Sequence, residues 1–345
     1  MENRLHRGGR LQPVRRRGDG RPRRPTTRRI VRSPRSGPRV LGPRHGPGTP
    51  ENSLTVADDP GDGLLELLAQ PRLVEPALLL ALDGWIDAAG AARAARQHLV
   101  EGDPGHRIAR FDTDRLLDHR ARRPTLHLVE GVSRRLEWPT LEVFHLESTA
   151  DNDVLVLHGP EPDHEWRAFA QAVVGLCRRL GVRIVVGLGA YPAAVPHTRP
   201  TRLSCTAGSP ELAQRLDFLA ATLEVPAGAQ AVVEMEAGRA GIPAIGIWAQ
   251  VPHYLSGSSY PPAAQALLAG VSQLTGLEIA EGPLAEAALA ARTHLDDLVA
   301  RNPEHVTMLE KLEAAYDDLH DVRGHLPDGE QLAAELERFL RDHDD

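Results

Sequence analysis

The feature that most constrains the fold is the segment at 182–206, where a short apolar run leads into a loop rich in proline. The run at 182–188 contains several β-branched residues and lacks the alternation of a half-exposed strand. It therefore predicts a strand of a parallel sheet that is buried on both faces. Gly187 and Gly189 are interpreted as the end of this strand, and we expect it to be central in an α/β sheet.

Three polar residues, His197, Thr198 and Arg199, follow between Pro196 and Pro200. Each proline fixes its own φ, and Pro200 also restricts Arg199 to extended conformations. Open α/β sheets bind ligands beyond the carboxyl ends of their strands, so this stiff loop is a candidate binding site. The alternative is a rigid connection whose His197 and Arg199 hydrogen-bond nearby carbonyl groups.

Other apolar runs alternate with segments of helical period. Strands are predicted at 77–82, 107–111, 154–157 and 242–248, and helices at 64–69, 88–100, 164–180, 210–223, 230–240 and 262–274. The segments 126–130 and 141–146 are interpreted as a hairpin pair. This pattern predicts an α/β fold with a central, mostly parallel sheet flanked by helices.

The two ends of the chain differ from this pattern. Residues 1–60 are mainly Arg, Pro, Gly and Ser and are expected to form a disordered tail. That tail is interpreted as an arm for nucleic acid, a targeting segment, or the product of a start codon placed too far upstream; the last, or a tail without function, is preferred. An α/β domain at 61–282 and a helical C-terminal extension at 283–345, with helices at 283–300, 303–320 and 329–341, complete the predicted organisation.

Charge is distributed unevenly along the chain. Residues 1–50 contain fifteen Arg and two acidic residues, a charge of 15 − 2 = +13, so residues 51–345 carry −7 − 13 = −20. A body this acidic is not expected to bind nucleic acid through phosphates. No apolar run approaches the roughly 18 residues that span a bilayer, and no signal-peptide core is found, so no membrane association is expected.

The rare residue types exclude several chemistries. Lys311 is the only lysine and lies in a charged stretch, which argues against a P-loop and against Schiff-base catalysis. Arginine in place of lysine, with abundant Ala, Gly, Pro and Val, indicates a GC-rich genome such as that of an actinobacterium. Cys177 and Cys205 form neither a metal pair nor a disulfide framework, so we expect a cytoplasmic protein without metal or cofactor.

Four loops follow strand ends and are expected to meet at one sheet edge, because parallel strands share a carboxyl edge. They are 83–87, 159–163, 196–200 and 251–254. A pocket there would be polar and aromatic, suited to a small polar ligand; its candidate residues are Asp83, Trp85, Glu161, Asp163, His197, Thr198, Arg199, His253 and Tyr254.

Several of these residues also have structural interpretations. Asp163 precedes a predicted helix and is expected to be its N-cap, as is Asp87 for the helix at 88–100. A histidine such as His253 is more often a hydrogen-bonding residue than a general base. Arg199 is expected to be partly buried and paired with one of three acids on the same sheet edge, namely Asp83, Glu161 and Asp163.

Longer segments carry a family resemblance. GPEPDHEW (159–166), GLGAYPAAVPHTRP (187–200), GIPAIGIWAQVPHY (241–254) and DGEQLAAELERFL (328–340) resemble the actinobacterial branch of the PAC2 (proteasome assembly chaperone 2) family, and DGWIDAAG (83–90) is similar to its first strand and turn. The resemblance implies a fold similar to nucleoside phosphorylases and hydrolases and assembly into homo-oligomers, with a trimer favoured. For eukaryotic and archaeal relatives it implies binding to proteasome α-subunits during assembly, without catalysis.

Two departures limit what the resemblance transfers. Archaeal relatives dock through a C-terminal hydrophobic-Tyr-any tripeptide, whereas this chain ends in His343, Asp344 and Asp345. A carboxylate–amine ligase label found among related sequences requires ATP binding, which a single lysine does not support. The preferred hypothesis is a non-enzymatic assembly or interaction protein; the alternative is a small-molecule enzyme or binding protein that uses the pocket at the sheet edge.

Overall fold

The computed structural model describes residues 63–84, 86–100, 105–146, 152–215, 224–280 and 282–323. The tail at 1–60, the helix predicted at 329–341 and candidate residue Trp85 lie outside the described residues. The division into an α/β domain and a C-terminal extension stays a prediction.

Among the described residues, ten strands form one large sheet and one separate hairpin. They are β1 (Leu65–Leu67), β2 (Ala77–Asp83), β3 (His106–Phe111), β4 (Thr125–Val129), β5 (Val132–Glu137), β6 (Glu142–Leu146), β7 (Val154–Pro160), β8 (Ile184–Ala193), β9 (Leu203–Ala207) and β10 (Ala244–Pro252). The large sheet has the order β1-β3-β6-β7-β2-β8-β10-β9, and β4 pairs only with β5. Its central strands β7, β2, β8 and β10 are parallel, whereas the flanking neighbours are antiparallel.

Eight α-helices are found among the described residues. They are α1 (Ala91–Leu99), α2 (Thr113–Leu116), α3 (Trp166–Leu180), α4 (Pro210–Arg215), α5 (Ala229–Arg239), α6 (Pro261–Thr275), α7 (Gly282–Ala300) and α8 (Pro303–Arg323). No helix in this described part of the chain is both long and apolar enough to cross a membrane.

The core lies on both faces of the sheet because successive strand side chains point to opposite sides. In β2, Leu79 and its neighbours two residues away pack with α1 and α6, whereas Leu78 and Leu80 pack with α3 and α5. These leucines are at most 1% exposed. The predicted α/β fold with a central sheet flanked by helices is therefore confirmed.

The C-terminal helices pack onto this core. Ala288 of α7 is buried, and Leu284 and Leu295 contact the cluster formed by α1 and α6. On α8, the Tyr316 side chain is 4% exposed and its hydroxyl donates to the Pro200 carbonyl at 3.1 Å. Helices α7 and α8 thus reach the loop that follows β8.

Two predictions of local structure are wrong. The segment 64–69 contains β1 instead of a helix, because Leu65, Glu66 and Leu67 pair with β3 at the sheet edge. The segment 126–130 does not pair with 141–146; β4 turns directly into β5, while β6 lies between β3 and β7. The tight turn at Glu130 and Gly131, both with positive φ, is compatible with a two-residue hairpin loop.

The central strand is confirmed but is longer than predicted. β8 continues to Ala193 because β10 pairs with it from Val185 to Ala193. Gly187 and Gly189 therefore lie inside the strand. They permit close packing: a Cβ would lie 2.2 Å from Gln230 Nε2 at Gly187 and 2.3 Å from the Trp248 ring at Gly189.

Candidate functional site

Four parallel strands end at one edge of the sheet and carry the predicted loops. β7 ends at Pro160, β2 at Asp83, β8 at Ala193 and β10 at Pro252. Eight of the nine candidate residues can be placed, and their side chains do not share one set of contacts.

Asp83, the last residue of β2, forms ion pairs with two arginines of α1. Its Oδ1 accepts from Arg93 Nε at 3.0 Å and from Arg96 Nη2 at 3.2 Å. Arg96 Nη1 also lies 3.3 Å from His158 Nδ1. Burial and the neighbouring Arg96 charge lower the pKa of His158, so this imidazole is neutral at neutral pH. Asp87 was predicted to be the N-cap of a helix at 88–100, but the N-cap position of α1 is Gly90. The Asp87 carboxylate still reaches the first turn of α1, where it accepts the N–H groups of Ala92 and Arg93 at 2.7 and 3.1 Å.

Glu161 is a helix cap. Its Oε1 accepts the Ala229 N–H at 2.6 Å, at the first residue of α5. The N-cap position is Gly228, which has no side chain to supply an acceptor. The carboxylate of Glu161, reaching in from the neighbouring loop, satisfies this N–H and interacts favourably with the positive end of the helix dipole.

Asp163 does not cap α3, so this prediction is wrong. The helix begins at Trp166, with Glu165 at the N-cap position in a left-handed conformation. The Asp163 carboxylate instead pairs with Arg122 and accepts the Asp118 N–H at 2.8 Å. Burial alone would raise the pKa of Asp163, but these two hydrogen bonds hold it below its usual value. Asp163 therefore anchors the loop after α2.

His197, Tyr254 and Asp296 form a continuous hydrogen-bonded chain. The Tyr254 Oη lies 2.7 Å from His197 Nδ1 and accepts the His197 backbone N–H at 3.0 Å. On the other side of the ring, His197 Nε2 lies 3.2 Å from Asp296 Oδ1 of α7. The His197 side chain is completely buried. Each nitrogen of the His197 ring thus has a hydrogen-bonding partner within the protein.

The surroundings of His197 and Tyr254 favour the neutral form of both side chains. Burial lowers the pKa of His197 despite the opposing charge of Asp296, and burial raises the pKa of Tyr254 to about 12. A neutral imidazole that donates from Nε2 to Asp296 can accept the Tyr254 proton at Nδ1, which satisfies both donors. The residue types resemble those of a proton relay. Here, however, the acceptor atoms of Tyr254, His197 and Asp296 are hydrogen-bonded to one another.

Thr198 and Arg199 bind the face of α8. Arg199 donates from Nε and Nη2 to the two carboxylate oxygens of Asp317, at 3.0 and 2.7 Å, and from Nη1 to Glu313 at 3.2 Å. The Thr198 hydroxyl donates to the same Glu313 oxygen. Arg292 of α7 donates to the Thr198 carbonyl at 2.7 Å. The loop at 196–200 is therefore held by both C-terminal helices.

The expectation for Arg199 is confirmed in burial and wrong in partner. Its side chain is 33% exposed, but its carboxylates are Glu313 and Asp317 instead of Asp83, Glu161 or Asp163. Those three acids have their own partners on α1, α5 and the loop after α2. Helix α8 offers two carboxylates one turn apart, which match the forked guanidinium.

The structure does not bring the placed candidates into one cleft. His253 is exposed, and its ring packs beside the ring of Tyr254 with the two centroids 5.4 Å apart. Two described cavities, of 730 and 440 Å³, are lined by other residues: one by β1, β3 and the start of β6, the other by the end of α1, the segment that follows α6 and the start of α7. Among the described residues, no group of three or more His, Cys, Asp or Glu is arranged to hold a metal ion.

A buried acid outside the predicted set lies between α5 and β9. Glu234 is 8% exposed, and its Oε2 accepts from the Thr206 hydroxyl at 2.9 Å. That hydroxyl in turn accepts from Trp248 Nε1 at 3.1 Å. Burial raises the pKa of Glu234 to about 7. The acid fits there because Gly246 lacks a side chain; a Cβ on it would lie 2.8 Å from Glu234 Oε2.

Comparison with known proteins assigns this arrangement to a family. The model of the PAC2 family matches residues 81–299, which include the whole carboxyl edge and all of α7 except its last residue. The chain belongs to the PAC2 family. No curated protein matches it significantly.

Solved PAC2-like structures cover most of this chain. A Mycobacterium tuberculosis protein of unknown function, Rv2714, is 34% identical with a TM-score of 0.68, covering 88% of this chain and 100% of its own. The M. tuberculosis proteasome-assembly chaperone homologue Rv2125 is 33% identical with a TM-score of 0.62, covering 68% and 99%. A PAC2 family protein from Streptomyces avermitilis is 34% identical with a TM-score of 0.61, covering 68% and 99%.

The sequence did not predict which residues bind the loop at 196–200. They lie on α7 and α8, about one hundred residues later in the chain. One signal was present: Glu313, Tyr316 and Asp317 have the spacing of one helix face, as do Arg292 and Asp296. That spacing indicates a polar face on each helix but does not identify the loop it binds.

Proposed function

We propose that this PAC2 protein is a non-enzymatic interaction protein in the assembly of a protein complex, with proteasome α-subunits as the candidate partner. The observation that carries the proposal is the loop at 196–200. Its polar groups, which would have to bind or activate a substrate, are bound instead by Asp296, Glu313 and Asp317. The likeness to a proteasome-assembly chaperone homologue supports the choice of partner.

Homo-oligomers, with a trimer favoured, and a cytoplasmic location are part of this proposal. Both cysteines are free, and burial raises the pKa of each thiol to about 12, which keeps them unreactive. Contacts with α-subunits are assigned to the folded body.

The test uses the full chain and purified proteasome α-subunits from the same kind of organism. We expect this protein and the α-subunits to co-elute in size-exclusion chromatography. We also expect this protein to dissociate from the α-subunits when mature proteasome particles form. The matched control is a chain lacking residues 343–345, which should bind as well as the full chain. Failure of the full chain to bind α-subunits would refute the proposed partner.

A thermal-shift screen of small molecules addresses the alternative function. A ligand that binds only the folded state raises the melting temperature by mass action. The proposal expects no such ligand at the loop. A hit that is lost in the variant Tyr254→Phe would place a small molecule there and contradict the non-enzymatic function.

A further inference from the structure

Helix α8 lies outside the hydrophobic core. Among the side chains of α8 that the structure describes, only Tyr316 is buried, and none belongs to either core cluster on the two faces of the sheet. Helix α7, by contrast, packs Leu284 and Leu295 against one of these clusters. Moving α8 away from the sheet edge would therefore leave both clusters intact.

Two carboxylates of α8 hold this helix to the loop at 196–200. Glu313 and Asp317, one helical turn apart, accept the hydrogen bonds from Thr198 and Arg199 that are described above. The ion pairs are partly exposed, with side-chain exposures of 33% for Arg199, 26% for Glu313 and 51% for Asp317. Partly exposed ion pairs contribute little because water competes for both charges. The attachment of α8 thus depends on contacts that a competing carboxylate can replace.

The net charge of the protein opposes this attachment. Helix α8, residues 303–323, contains six acidic residues, one Lys and one Arg, a charge of 2 − 6 = −4. Because residues 51–345 carry −20, the rest of this body carries −20 − (−4) = −16. Two negatively charged parts of a protein repel each other. The local attraction at Arg199 therefore acts against a general repulsion of α8.

Helix α8 also leaves one cationic group without an acceptor. The guanidinium carbon of Arg202, which follows the loop, lies 4.0 Å from the centre of the Tyr316 ring. Nη2 of Arg202 is enclosed and has no hydrogen-bonding partner among the described residues. An enclosed donor without an acceptor is unfavourable, and a guanidinium pairs best with a carboxylate. Because α8 presents an aromatic ring to Arg202 in place of a carboxylate, it satisfies this surface only in part.

We propose that Thr198, Arg199 and Arg202, which we call the arginine surface, form a docking site for an acidic helix of a partner protein, and that α8 occupies it as an autoinhibitory segment. The chemistry of the partner is indicated by α8 itself, which shows that the surface accepts a helix with carboxylates four residues apart. Release of α8 leaves His197 bound to Asp296 of α7. It therefore uncovers a surface for a protein while the buried hydrogen-bonded chain stays in place.

The first experiment measures how firmly α8 is attached. Hydrogen–deuterium exchange of the full chain compares wild type with the double variant Glu313→Gln, Asp317→Asn. Amides of α8 should exchange at least fivefold faster in the double variant, with no change in α3 or β8, because these two carboxylates hold only α8. The matched control is Glu310→Gln, Asp318→Asn, which removes the same charge from exposed positions of the same helix. Exchange in α8 should then be unchanged or slower, because the control reduces the repulsion and keeps the pairs with Arg199.

The second experiment uses a fluorescent peptide of residues 303–323 as the acidic helix. In fluorescence anisotropy it should bind the full-length double variant at least tenfold more tightly than wild type, whose own α8 competes at a high effective concentration. Adding Arg199→Gln to the double variant should abolish this binding. A control peptide with Glu313→Gln and Asp317→Asn should bind at least tenfold more weakly than the unmodified peptide.

Either experiment can overturn the proposal. Equal exchange of α8 in wild type and the double variant, or equally fast exchange in the matched control, would show that the two carboxylates do not hold the helix. A peptide that does not bind the double variant, or that still binds after Arg199→Gln, would exclude the docking site. Both results are independent of proteasome α-subunits, so a failure of the proposed function is recognised separately. If circular dichroism shows that the double variant is unfolded, Asp317→Asn alone provides the same comparison, with smaller effects expected.

Discussion

Replacing the buried Glu234 by glutamine should remove a pH dependence from the stability of this protein. Glu234 is 8% exposed, and the one hydrogen bond that its carboxylate accepts from the described residues comes from Thr206. Glutamine has nearly the same shape and can accept that hydrogen bond. The change therefore removes a titrating proton and little else.

The size and sign of the effect follow from the pKa of Glu234, which burial raises from 4.5 to about 7. Between these two pH values the folded protein holds a proton that the unfolded chain has released, so stability falls as pH rises. The contribution is complete below about pH 4.5 and is lost as the pH passes 7. A difference of this size corresponds to about 3 kcal/mol.

We therefore expect Glu234→Gln and wild type to have similar free energies of unfolding at pH 4, with the variant more stable by about 3 kcal/mol at pH 8. Urea denaturation at a series of pH values measures this difference, in which the titration of other groups cancels. The matched control is Glu236→Gln on the same helix, since Glu236 is partly exposed and paired with Arg239.

Two results would refute this reasoning. A difference that stays constant between pH 5 and 8 would mean that Glu234 does not titrate in that interval. A variant less stable than wild type at pH 8 would mean that the carboxylate is stabilised by a partner, so that burial is not the dominant effect.

Three further predictions concern the loop, the α5 contact and the central strand. Arg199→Ala should lower the melting temperature and increase amide exchange in α8, and adding Asp317→Asn should cause little further loss, because the pair has already been broken; additive losses would contradict the pairing. Gly246→Ala should destabilise the protein by about 1–3 kcal/mol in urea denaturation, whereas Gly257→Ala, which has open space around it, should not. Val185→Asp should abolish soluble folding, since it buries an unpaired carboxylate at a cost of several kcal/mol; soluble protein with normal melting would contradict this.

Periodicity predicts the fold well because it is a local property of the sequence. The central strands β2 and β8 were found as apolar runs, and their buried faces explain why no alternation is present. The hairpin was paired incorrectly because β5 is exposed along its length and contains a serine and two arginines, so its sequence resembles a loop. Only the turn at Glu130 and Gly131 distinguishes it.

The site was harder to predict because its contacts are not local. Sequence placed His197 and Arg199 correctly in a loop beyond a strand end, but their partners come from helices whose position depends on how α7 packs on the core. Likewise, the environment of Glu234 depends on a gap at Gly246 in another element. Spacing reveals which residues share a helix face, whereas the opposing surface is set by tertiary packing.

The contacts of the loop at 196–200 also determine the order in which this protein can be completed during translation. The partners of Arg199, Glu313 and Asp317, are synthesised 114 and 118 residues after it. By then, the ribosome has already finished synthesising β10. At about 5–20 residues per second, the delay is on the order of ten seconds. From the synthesis of Pro252 to that of Glu313, the nascent chain therefore holds every described strand of the sheet while the loop at 196–200 still lacks its partners on α8. A chain terminated before Asp296 would leave that loop without any of these carboxylates.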